Sequence, residues 1–193
     1  FAEKRKELAE KKKAEAHLNV GNRLKDLNRL EEAEASYTQA IALKSGYVEA
    51  HYNLGNTRKE GGRLQEAEAC YVKVIALKPD YAEAHYNLGN TLKELGRLEE
   101  AEASYRQAIA LKPEFAEAHS NLGITLYELG RLDEAEVSQT QAIALKPDYA
   151  EAMLNLSITL GYMNSLEAEM DVSKKILQID SKSYSLIASV NIA

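Results

Sequence analysis

One residue pattern recurs every 34 positions along most of this chain. His17, His51, His85 and His119 share that spacing, and Met153 takes the next slot. The same register holds Asn19, Asn53, Asn87, Asn121 and Asn155, then Gly21, Gly55, Gly89 and Gly123, then Arg29, Arg63, Arg97 and Arg131. A period this strict means one supersecondary unit copied in tandem, so a single globular core is excluded and a repeat array is expected. The units begin at Ala14, Val48, Ala82, Ala116 and Ala150.

Each unit reads as two helices. In the third, His85, Leu88, Gly89 and Leu92 fall at i, i+3, i+4 and i+7, one face of a helix. Gly96-Arg97 interrupts it, with the glycine supplying the left-handed conformation that ends a helix. Leu98, Ala101, Tyr105, Ala108 and Ile109 form a second apolar stripe, and Pro113 marks the corner into the next unit. Gly89 is expected to face Ala101 and Ala108, so that the two helices approach to the short end of the usual ~8–10 Å separation. One hairpin cannot bury both its faces, but stacked neighbours can.

These residues resemble the tetratricopeptide repeat family. The match lies in the small Gly89, Ala101 and Ala108, the large Leu88, Leu92 and Tyr105, and Pro113, with His85 where many members place tryptophan. The resemblance implies an all-α fold, a right-handed superhelical solenoid of helix-turn-helix hairpins. The segment AEAHYNLGNTLKELG, residues 82–96, is also similar to the repeats that precede the catalytic half of O-linked N-acetylglucosamine transferases, and to arrays fused to bacterial glycosyltransferases and sulfotransferases.

The register divides the chain into a basic helical extension over 1–13, five units over 14–47, 48–81, 82–115, 116–149 and 150–181, and a tail over 182–193. The fifth unit diverges. Ser157 replaces its glycine, Glu169 and Ile176 replace its packing alanines, and Ser181 stands where Pro147 stood one unit earlier. Residues 183–193 read as an eleventh helix, either a truncated sixth repeat or a capping helix docked on the last hairpin. The missing small residues predict faster amide exchange at this end than in units two to four. The chain opens on Phe1, not Met, and reads as a piece trimmed from something longer.

The first helices of stacked hairpins line the concave side of such an array. Slots 2, 5, 6, 9, 12 and 13 of each unit share a band of about 120° on that helix, away from the packing stripe. The five asparagines at slot 6 would form a ladder whose amides both donate and accept, a device for holding an extended polypeptide backbone. The resemblance implies the same, because the O-linked N-acetylglucosamine transferases hold substrate polypeptide with such a ladder. The other role open to Asn19, Asn53, Asn87, Asn121 and Asn155 is bonding between neighbouring helices. Asn56, Asn90, Tyr52, Tyr86, Lys59, Lys93 and Tyr127 share the band, and the tyrosines fit either partner contact or packing. Leu154, Ile124 and Ile158 make one end of the band more apolar. Glu15, Glu49, Glu83, Glu117 and Glu151 at slot 2 would repel a terminal carboxylate, so a neutral or basic segment is expected.

The sequence offers little for catalysis. It holds no G-x-S-x-G elbow, Walker loop, H-E-x-x-H or dinucleotide fingerprint. Equivalent histidines one hairpin apart lie roughly 10 Å from each other, given ~8–10 Å helix spacing, so they cannot share a metal ion; packing is their expected role. No cofactor is expected. The formal net charge of −6 does not suit a phosphate backbone, and the lysines of residues 1–13 have no aromatic interleaving beyond Phe1, so no nucleic acid is expected. No apolar run reaches the ~20 residues that span a bilayer. The lone Cys70 suits a reducing, cytoplasmic setting. The expected function is a non-catalytic scaffold that binds a protein or peptide segment in its groove. The alternatives are the substrate-presenting front of a larger transferase and a scaffold that self-associates end to end.

Overall fold

The structure is a computed structural model that describes residues 2–163 and Leu177. Nine α-helices are found there: α1 (Ala2–Asp26), α2 (Leu30–Leu43), α3 (Val48–Glu60), α4 (Leu64–Leu77), α5 (Ala82–Glu94), α6 (Leu98–Leu111), α7 (Ala116–Glu128), α8 (Leu132–Leu145) and α9 (Ala150–Tyr162). There is no strand among the described residues. The basic extension belongs to α1, which runs 25 residues without a break. The second helix of the fifth unit and the helix expected over 183–193 lie outside the described residues.

The turns follow the register. Gly62, Gly96 and Gly130 adopt φ of 74°, 75° and 76°, and Asn28, the corresponding residue of the first unit, adopts 57°. Asparagine is the side chain that best tolerates this left-handed region. Each such turn is closed by backbone bonds, as where Gly96 N donates to Lys93 O and Arg97 N to Leu92 O, both at 2.9 Å.

The chain divides between Arg97 and Leu98 into two compact units, a first and a second, each spanning several of the 34-residue repeats. In the first, α1 packs on α2, α2 on α3, α3 on α4 and α4 on α5; in the second, α6 packs on α7, α7 on α8 and α8 on α9. Packing in chain order is what a repeat array requires. Ala33, Tyr37, Ala40, Ala67, Tyr71 and Val74 are fully buried in the first unit, as are Ala118, Leu126, Ala135 and Ala142 in the second.

The glycines at slot 8 of the repeats show why the helices need them. A Cβ on Gly21 would lie 2.5 Å from Tyr37, and one on Gly55 would lie 2.9 Å from Tyr71 and 3.1 Å from the Cys70 Cβ. On Gly123 it would meet the Gln139 Cγ at 2.5 Å and the Ala135 carbonyl oxygen at 3.2 Å. Within these hairpins the close partner of the glycine is therefore the large residue at slot 24 of the second helix. The packing alanines expected to face it leave the room that lets this side chain lie across the glycine.

The hairpin corners repeat one arrangement. Lys44, Lys78, Lys112 and Lys146 each place Nζ over the ring of Tyr47, Tyr81, Phe115 or Tyr149, 4.5–4.9 Å from its centre. Nε2 of His51 lies 2.9 Å from Ser45 O, and Nε2 of His85 and His119 lies 3.0 Å from Pro79 O and Pro113 O. A carbonyl only accepts, so Nε2 carries the hydrogen and ties the helix start to the corner before it. Among the described residues no three His, Cys, Asp or Glu side chains converge as a metal site.

Candidate functional site

In the first unit the first-helix band is polar and cross-linked. Asn53 Nδ2 donates to Asn22 Oδ1 at 2.9 Å, and that oxygen also accepts from Tyr37 Oη at 2.9 Å. One unit on, Asn87 Nδ2 donates to Asn56 Oδ1 at 3.1 Å and to Tyr52 Oη at 2.8 Å, while Tyr71 Oη donates to Asn56 Oδ1 at 2.7 Å. An asparagine at slot 9 thus accepts from the buried tyrosine of its own hairpin and from the slot 6 asparagine of the next. Burial and the nearby Asp26, Glu60 and Glu49 push the Tyr37 hydroxyl up to about 12, and burial pushes Tyr71 the same way, so both hydroxyls stay donors.

Charged residues follow the same geometry. Lys25 pairs with Glu60 at 2.8 Å and Lys59 with Glu94 at 2.9 Å, each from slot 12 to slot 13 of the next hairpin. Tyr52 is half-buried, with its ring centre 5.0 Å from Tyr81 and 6.1 Å from Tyr71. Of the residues singled out from the sequence, Asn53, Asn56, Asn87, Tyr52 and Lys59 are therefore brought together as links between hairpins. Asn19 is exposed, whereas Tyr86, Asn90 and Lys93 are half-buried and engaged with neighbours.

The second unit keeps the band but changes its chemistry. Slot 9 holds Ile124 and Ile158 in place of asparagine, slot 5 holds Ser120 and Leu154, and slot 24 of the fourth repeat holds Gln139 where Tyr105 stands one repeat earlier. At slots 12 and 13, where the first unit has lysine and glutamate, Tyr127 and Tyr162 meet edge to face, 5.4 Å apart at 83°. Leu154, Ile158 and Tyr162 are 54%, 44% and 69% exposed. Ile124, Leu154 and Ile158 thus put apolar side chains at slots 5 and 9 of this unit. Asn121 is half-buried and engaged, and Asn155 is half-buried. A cavity of about 160 Å³ opens between α7, α8 and α9, lined by Ile124, Tyr127, Glu128, Gln139, Asn155 and Ile158.

Two recurring features escaped the sequence reading. The turn arginines reach back to the preceding hairpin: Arg63 to Glu34, Arg97 Nη1 to Glu68 at 2.8 Å, and Arg131 Nη1 to Glu102 at 2.6 Å. Burial raises the Glu34 carboxyl, but hydrogen bonds and charge from Arg63 and Arg58 outweigh it and hold the group below its ordinary value. The recurrence of Glu34, Glu68 and Glu102 at the array period was the available signal. Thr57, Thr91, Thr125 and Thr159 are fully buried and donate to the carbonyl of the asparagine four residues earlier, at 2.8–3.0 Å. Cys70 is buried against Arg58, and burial raises its thiol, so it behaves as a core residue. Among the described residues no helix is long and apolar enough to cross a membrane.

The fold has counterparts among solved structures. Solved structures with the same fold include MamA from Desulfovibrio magneticus RS-1, at 20% identity over 88% of this chain and 96% of that one, with a TM-score of 0.83. PilF from Pseudomonas aeruginosa is similar at 19% identity over 88% and 78% of the two chains, with a TM-score of 0.78. YrrB, a TPR protein with an unusual peptide-binding site, is similar at 26% identity over 91% and 90%, with a TM-score of 0.74. Among curated proteins compared with this chain, none matches. A TPR repeat model matches residues 21–60, 55–96 and 89–130, and a tetratricopeptide repeat model matches residues 116–149. The hairpin register, the all-α repeat fold and these matches together make this chain a member of the tetratricopeptide repeat family, whose fold serves as a scaffold for protein interactions.

Proposed function

We propose that this chain is a non-catalytic scaffold that holds an extended polypeptide segment along the first-helix band of α7 and α9. One observation carries the proposal. Leu154, Ile158 and Tyr162 lie at i, i+4 and i+8 on one face of α9 and are strongly exposed beside the Asn155 amide. Apolar and aromatic groups exposed together on one helix face supply the contact area on which a bound polypeptide can rest. Glu117 and Glu151 on the same helices favour a neutral or basic segment over an acidic one. The peptide-binding site of YrrB, a protein of the same fold, supports the reading.

The test uses peptides selected against the protein from a random display library. Leu154→Ser with Tyr162→Ser alters two exposed side chains and should lower thermal stability only by the loss of the Tyr127–Tyr162 edge contact, about 0.5–1.5 kcal/mol. Binding should weaken at least about tenfold, since apolar anchors dominate such contacts. Val72→Ser with Val137→Ser removes exposed apolar groups from the second helices and should leave binding unchanged. Equal loss from both pairs, or none from the first, would contradict the proposal.

A further inference from the structure

The first-helix band changes its charge along the chain. Slot 12 holds Lys25, Lys59 and Lys93 in the first three repeats, then Tyr127 and Gly161. The helices α7, α8 and α9 contain no lysine or arginine, while α7 and α9 carry Glu117, Glu128 and Glu151. Residues 98–163 hold eleven acidic and four basic side chains, whereas residues 1–97 hold fifteen and seventeen. The four basic groups of the second unit are occupied away from the band. Arg106 and Arg131 pair with Glu102 and Glu134, and Lys112 and Lys146 lie over Phe115 and Tyr149 at the corners. A surface with this surplus attracts cationic groups and repels anionic ones.

The cavity of about 160 Å³ between α7, α8 and α9 lies in this stretch. Gln139 and Asn155 line it but bury Oε1 and Nδ2, so recognition falls to its other four residues. Glu128 and Ile158 are exposed, and Ile124 and Tyr127 are half-buried. The accessible walls are therefore two aliphatic side chains, one aromatic ring and one carboxylate. Glu128 already engages a neighbour, but a carboxylate has about four lone-pair sites and accepts from a second donor as well. A group that uses every wall has an apolar stem and a cationic head. A cavity of ~150 Å³ also holds a planar group the size of benzene. Arginine meets these conditions: its methylenes rest on the isoleucines, and its guanidinium stacks on a tyrosine ring while donating to a carboxylate. The ammonium of lysine is more strongly hydrated and has no flat face to stack. We propose that this cavity is a side-chain pocket for an arginine of the bound polypeptide. The proposal rests on the reading above, that α7 and α9 hold a polypeptide, and adds the residue type they select.

The experiment has two arms. The first needs no peptide. Propylguanidinium, its neutral isostere propylurea, and propionate are titrated against the full chain while the methyl resonances of Ile124 and Ile158 are followed by NMR. Propylguanidinium should shift both resonances saturably, and propionate should shift neither. Propylguanidinium should bind at least about tenfold more tightly than propylurea, within the reach of one hydrogen bond between charged groups. That advantage should shrink as salt is raised. In the second arm, each position of a peptide selected for binding is replaced in turn by arginine and by citrulline, which keeps the shape and lacks the charge. At one position arginine should win by the same margin, and Glu128→Gln should make the two peptides bind alike. If Glu128→Gln folds poorly, the titrations of the parent protein decide. Equal responses to propylguanidinium and propylurea would show an apolar hollow and overturn the inference. An arginine preference unchanged in Glu128→Gln would overturn it too. So would a peptide that gains from arginine at no position; if Leu154→Ser with Tyr162→Ser still weakens that peptide, the reading of α7 and α9 stands alone. Peptides indifferent to that pair, with propylguanidinium still shifting Ile124 and Ile158, would overturn the reading and sustain the pocket.

Discussion

Asn53 donates its side-chain amide to Asn22 at 2.9 Å, and the two residues belong to successive hairpins. The same oxygen of Asn22 accepts the buried Tyr37 hydroxyl. The ladder of asparagines therefore ties hairpin to hairpin in the first unit, whatever else it holds. Asn53→Ala should cost roughly 0.5–1.5 kcal/mol in chemical denaturation, one net hydrogen bond. A double-mutant cycle of Asn22→Ala with Asn53→Ala should show positive coupling, because the second change removes a bond already lost. Strict additivity would show that the bond contributes nothing.

Gly55 should not accept a methyl group. An added Cβ would sit 2.9 Å from the Tyr71 ring and 3.1 Å from the Cys70 Cβ, within a packed interface. Gly55→Ala should destabilise by about 1–3 kcal/mol, the usual penalty of overpacking. Gly62→Ala meets open space, and its positive φ is the only obstacle. Its cost should be near 1 kcal/mol. Thermal melts of the two variants should rank in that order.

The Glu34 carboxylate predicts an acid response. Its folded value lies below the ordinary 4.5 because Arg63 and Arg58 bond to it. A lowered folded value means the stabilisation is fully present above the unfolded value and is lost as pH falls through the folded one. Glu34→Gln should therefore lower the melting temperature at pH 7 and matter progressively less below pH ~4. The effect should stay under about 1 kcal/mol, given its partial exposure to solvent. An equal penalty at pH 7 and pH 3 would show that packing, and not charge, is lost.

Much of the fold was legible because one period carried it. The Gly-Arg turns, the helix pairs and the apolar end at Ile124, Leu154 and Ile158 all follow from register and helical spacing. The links between hairpins were not legible in the same way. A slot analysis places Asn53, Asn22 and Tyr37 on their own helices but does not show that a third helix brings all three within bonding distance. The exchange of a Lys59–Glu94 pair for a Tyr127–Tyr162 pair was visible as residue types at slots 12 and 13, yet only spatial adjacency makes it one exchange and not two. Gln139 Oε1 and Asn155 Nδ2, buried without a hydrogen-bond partner, needed the same step, because a missing partner can be recognised only once the partner's place is known.

The most direct test is a map of where a bound peptide lies. Backbone and side-chain NMR shifts should be recorded for the protein alone and with a peptide selected from the display library. Perturbations should concentrate on α7 and α9, at Tyr127, Leu154, Asn155, Ile158 and Tyr162, with Val137 on α8 unaffected. A footprint centred on the second helices, around Val72 and Val137, or one confined to the lysines of residues 1–13, would contradict it.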